Sequence, residues 1–136
     1  MECCKWLEFI NTFYGATVFD QDISSWNVAN VTGMSGMFCE ATTFNQDISS
    51  WNVANVTDMS CMFSGATTFN KDISSWNVAN VNVTNMKTDM SYMFYGATAF
   101  NQDISSWNVA NVTNMIICSA ELQPLIKIFH HGMLQM

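Results

Sequence analysis

Four aspartates, Asp22, Asp47, Asp72 and Asp103, occupy the same place in a phrase that recurs along the chain. Copies of such a phrase stacked at the roughly 4.8 Å spacing of neighbouring strands would bring like charges together. Two chemistries answer that repulsion. A row of carboxylate oxygens suits calcium. Alternatively, each carboxylate accepts hydrogen bonds from turn N–H groups or from the adjacent serine. The Gly-rich nonapeptide of calcium-loading repeats is absent, which favours the turn role, and no cofactor is expected.

The same phrase carries a second set of polar residues. Ser25 and Asn27 return as Ser50 and Asn52, Ser75 and Asn77, and Ser106 and Asn108. If this segment is a strand, these side chains alternate with the apolar ones and form an outward face together with Ala29 and Ala54. A face of this kind is an interaction surface in stacked-repeat proteins. Its sameness from copy to copy fits a regular ligand, such as a polysaccharide or an ice lattice. It also fits a neutral solvated surface, because partner-binding faces usually vary.

Asn-Val-Thr occurs at Asn30, Asn55, Asn82 and Asn111 and matches the N-x-T glycosylation acceptor. The competing role for Asn30, Asn55 and Asn111 is helix N-capping. His130 and His131 have only Glu121 near them as a further ligand type, which is too little for a metal site. The cysteines Cys3, Cys4, Cys39, Cys61 and Cys118 are odd in number and show no CxxC pair, so free thiols are expected. There is no Arg, no phosphate-cradling Gly loop and no G-x-S-x-G, and both histidines lie in the tail. The chain is therefore expected not to be an enzyme.

Composition narrows the classes further. Among 136 residues, 4 Lys face 11 Asp plus Glu, giving a net charge of −7. Phosphate backbones need cationic partners, so no nucleic acid is expected as a partner. No run approaches the ~18 apolar residues of a membrane span. At 49% hydrophobic residues the chain can build a core. The opening MECCKWLEFINTF lacks the basic start and long apolar run of a secretory signal, so the expectation is either a cytosolic protein or a piece of a longer chain whose signal lies elsewhere.

The elements that must position these residues follow from the repeat. Copies begin at Phe13, Phe38, Phe63 and Phe94, so the period is 25 residues twice and then 31. The six extra residues, Asn82–Lys87, read NVTNMK, a local copy of the preceding NVTxM, and are expected to loop out. Periods of this length signal stacked arrays. Ile23, Trp26 and Val28 follow L-x-x-L-x-L, a strand pattern. Val31, Met34, Met37, Phe38 and Ala41 suggest a short helical stripe, with Asn30 ahead of it as cap. The expected fold is an α/β repeat solenoid, leucine-rich-repeat-like, with one short strand plus one short helix or turn per coil and about four coils. Its parts are 1–12, an N-terminal cap or truncated repeat; 13–115, the array (13–37, 38–62, 63–93 with insertion 82–87, and 94–115); and 116–136, a non-repeat segment.

The unit MFxGATxFNQDISSWNVANVTxMSxM resembles the bacterial surface-protein repeat of about 25 residues, the DUF285 type, which is similar to BspA-like leucine-rich repeats. The resemblance runs from Phe13 to Met115. It implies a non-enzymatic cell-surface or adhesion protein with protein or glycan partners, located outside the cell. A structural spacer with no activity of its own is the alternative. The apolar tail after Met115 adds an expectation of self-association through the C-terminal end.

Overall fold

A computed structural model describes residues 7–79 and 88–115. The insertion 82–87, the tail 116–136 with its histidines, and the first half of the 1–12 segment lie outside the described residues. Four short strands are present: β1 (Leu7–Glu8), β2 (Val31–Gly33), β3 (Thr88–Asp89) and β4 (Val112–Asn114). β1 pairs with β2, and β3 with β4, both in parallel. Single parallel bridges, Gly33↔Asp58 and Asp58↔Asp89, join the two pairs. One ladder thus passes through Glu8, Gly33, Asp58, Asp89 and Asn114. The step from Asp58 to Asp89 spans the insertion, and the ladder resumes in register beyond it.

The helix expected on Val31, Met34, Met37, Phe38 and Ala41 does not form, and there is no α-helix among the described residues. Alternate N–H groups reach one coil ahead: Met34, Gly36, Phe38 and Glu40 donate to the carbonyls of Asp58, Ser60, Met62 and Ser64 at 2.7–2.9 Å. The intervening Met37, Cys39 and Ala41 turn back three residues, to Met34, Gly36 and Phe38. The result is a ribbon of consecutive turns, whose apolar residues still face one side. Two left-handed residues per copy make it close: Gly36 (φ 61°) and Glu40 (φ 58°), then Cys61 (φ 56°) and Gly65 (φ 69°), then Tyr92 (φ 57°) and Gly96 (φ 69°). A right-handed helix cannot contain them. We refer to 31–41 and its equivalents as the ladder half of each copy.

The remainder, 42–55 and its equivalents, is the phrase half. The strand expected over Ile23–Val28 is absent, because side chains capture its backbone donors. Ser24 N–H donates to Asp22 Oδ1 (2.9 Å) and Ala29 N–H to Asn27 Oδ1 (3.1 Å). Trp26 N–H donates to Ile23 O and Val31 N–H to Val28 O. The same pattern recurs around Asp47 and Asn52, Asp72 and Asn77, and Asp103 and Asn108.

The core lies between the halves as columns of like residues. Phe13, Phe38, Phe63 and Phe94 stack at 5.5–5.7 Å between ring centroids. Phe19, Phe44, Phe69 and Phe100 form a parallel column at 5.9–6.0 Å. Ile48 and Ile73, Met59 and Met62, and Val53 and Val56 are buried beside them. Trp51 stacks on Trp76 at 6.5 Å with rings 3° from parallel. No single copy could bury so much apolar surface alone; stacking supplies the partner surface.

Candidate interaction surface

In the second copy each polar residue of the phrase has a defined task. Asp22, Asp47 and Asp72 sit on the surface, and each is held below the usual carboxylate range, first by the backbone N–H of Ser24, Ser49 or Ser74 and then by the same serine's hydroxyl. These are the turn contacts weighed against calcium for the aspartate column. No group of three metal-ligating side chains occurs among the described residues.

The serines set the next rung. Ser50 Oγ donates to Ser24 O, Ser75 Oγ to Ser49 O and Ser106 Oγ to Ser74 O, at 3.0–3.3 Å. They are exposed, as an interaction face requires, but their hydroxyls already join copy to copy. Asn27, Asn52, Asn77 and Asn108 are also exposed, and each has its amide oxygen engaged by an alanine N–H two residues on. The outward placing of alanine is corrected at Ala54 and Ala79, which are buried between neighbouring copies, whereas Ala110, with the same Asn turn, is exposed.

The capping role expected for the Asn-Val-Thr asparagines is likewise corrected, since there is no helix to cap. Asn55 Nδ2 donates instead to Ala29 O (2.7 Å) and Asn111 Nδ2 to Ala79 O (2.8 Å). The nitrogen that a glycan would need is thus engaged at both. Asn30 is exposed, and Asn82 lies outside the described residues. Cys39 and Cys61 are free thiols, and burial pushes both up from the ordinary thiol range, away from the reactive thiolate.

Between the third and fourth copies these rows border a shallow, open depression of about 320 Å³. Asp72, Ser74, Gln102, Asp103, Ser105 and Ser106 line it. A second exposed feature escaped the expectations drawn from the sequence. Tyr14, Tyr92 and Tyr95 are exposed on the ladder half, and Tyr92 meets Tyr95 edge to face at 6.2 Å. The signal was present in the repeat, because the unit varies there: Asn11, Gly36, Cys61 and Tyr92 are equivalent, as are Tyr14, Cys39, Ser64 and Tyr95.

A family model described as "Mycoplasma protein of unknown function, DUF285" matches residues 7–88 and 82–120. The chain belongs to the DUF285 family. The two DUF285 matches overlap at 82–88, across the insertion, so NVTNMK serves as the close of one stretch and the opening of the next. No curated protein and no solved structure matches the chain. The DUF285 unit here combines a phrase half of fixed side-chain rungs with a largely buried ladder half in which a few positions vary, two of them carrying the exposed Tyr92 and Tyr95. Among its described residues no helix is long and apolar enough to cross a membrane.

Proposed function

We propose that this chain is a leucine-rich-repeat-like solenoid of about four coils, related to the BspA-like repeats, that acts without catalysis as a cell-surface or adhesion module for a protein or glycan partner. The observation that carries this reading is the row Asn27, Asn52, Asn77 and Asn108. Each is exposed, and each has its amide oxygen tied to its own copy at 3.1–3.2 Å. The tie holds each amide in one orientation, repeated along the stack. A hydroxyl-rich polymer with its own repeat would meet preorganised donors and lose little affinity to ordering them. The neighbouring depression adds hydroxyl and carboxylate acceptors.

The test is a glycan array and a surface-protein capture assay with the wild type and an Asn52→Asp, Asn77→Asp variant. Aspartate keeps the turn oxygen but removes the amide donors. At least tenfold weaker binding with an unchanged melting temperature supports the reading. The spacer alternative draws on the serines, whose hydroxyls already serve the stack. It predicts that the wild type captures no partner.

A further inference from the structure

Among the described residues, side-chain hydrogen bonds to a backbone carbonyl of a neighbouring copy all run one way. The later copy donates and the earlier copy accepts: Trp51 Nε1 to Ile23 O, Ser50 Oγ to Ser24 O, Asn55 Nδ2 to Ala29 O and Gln46 Nε2 to Asp20 O. The same direction holds for Trp107 with Ile73, Ser106 with Ser74, Asn111 with Ala79 and Gln102 with Asn70. The stack therefore has polar ends. At its start, the equivalent donors Trp26, Ser25, Asn30 and Gln21 have no earlier copy among the described residues to receive them. At its close, the equivalent carbonyls of Ile104, Ser105, Ala110 and Asn101 receive no such side chain among the described residues.

Burial follows the same division. Trp26 is 38% exposed, whereas Trp51 and Trp76 are 4% and 3% exposed. Ala110 is exposed, whereas Ala54 and Ala79 are buried between neighbours. Val109 and Val112 are half-buried, whereas Val53 and Val56 are fully covered.

We propose that the start of one stack docks on the close of a second copy of this chain, head to tail, using the four-rung pattern that joins copies within the chain. The docked pair continues an interface the molecule already contains three times over in its tryptophan rung. Trp26 Nε1 would meet the partner chain's isoleucine carbonyl, and the Ser25, Asn30 and Gln21 donors would meet the next three acceptors in the same register. The contact is heterologous, so it propagates rather than closing after two copies.

The test uses sedimentation velocity on the full chain and on two blocked variants. Gln21→Glu with Asn30→Asp turns two donors of the starting end into carboxylates that repel the partner's carbonyls. Ala110→Arg places bulk where an alanine is needed between copies. Circular dichroism and melting temperature check that both variants fold. The wild type should sediment with a mass that grows with concentration from the 15.3 kDa monomer. Each variant alone should stay monomeric. An equimolar mixture should stop at the dimer, because it contains one intact pair of ends. A wild type that stays monomeric at every concentration, its ends covered by its own terminal segments, would overturn the proposal. So would folded variants that each assemble like the wild type, or a mixture that stays monomeric.

Discussion

In the ladder half, copies are joined chiefly by backbone N–H and C=O groups, with Ser35–Ser60 and Thr57–Thr32 as added side-chain links; in the phrase half, they are joined chiefly by side chains. The difference explains where the unit tolerates change. A backbone rung is indifferent to the side chain it carries, so Asn11, Gly36, Cys61 and Tyr92 can share one position, provided each accepts a left-handed conformation. A side-chain rung depends on its donor. DISSWNVANV therefore recurs without change at Asp22, Asp47, Asp72 and Asp103. Its Asp and Asn form turns, its second Ser and its Trp reach the previous copy, and its Ile and Val fill the core.

The sharpest way to break this comparison is Trp51→Ala. Trp51 is buried, stacks on Trp76 and bonds to Ile23 O. The loss should be ~3–5 kcal/mol, read as a lower denaturant midpoint. Trp26→Ala, at the half-exposed end and without a rung among the described residues, should cost much less. Equal losses at the two positions would mean that the rung contributes nothing beyond packing.

In the ladder half the expectation reverses sign. Glu40 holds φ 58° where the equivalent residues are Gly15, Gly65 and Gly96. Glu40→Gly should stabilise by about 1 kcal/mol, because glycine enters this region without a Cβ penalty. The Glu40 backbone N–H still donates to Ser64 O after the change. A lower midpoint would show that the Glu40 side chain contributes to the stack, as its packing near Gly65 would allow.

The smallest effect concerns pH and belongs to the phrase half. Asp22, Asp47 and Asp72 have folded pKa values below their ordinary ones, so their stabilisation is present above the unfolded carboxylate value of about 4. It is lost as pH falls through the depressed folded values. Urea midpoints should hold between pH 7 and about 5 and decline below about 4. Changing all three to Asn keeps the turn acceptors and should flatten that decline. An unaltered acid slope would place the responsible carboxylates elsewhere.

Much of this was legible in the residues before any coordinates. The period, the two columns of Phe and the burial of the recurring Ile, Val and Met follow from the repeat itself, because identical copies bury identical faces only by stacking. The turn role of the aspartates was also legible, since Asp followed two residues later by a free N–H is a local motif that needs no distant partner. What only the tertiary structure decided is where each backbone donor goes. The spacing Val31, Met34, Met37, Phe38, Ala41 serves a helix and a ribbon of turns alike. The choice falls to the ribbon because alternate N–H groups find carbonyls one copy away, and those carbonyls exist only once the neighbour is in place. The same reason moved Asn55 from a cap to a rung: its acceptor, Ala29 O, lies 26 residues away in sequence and 2.7 Å away in space.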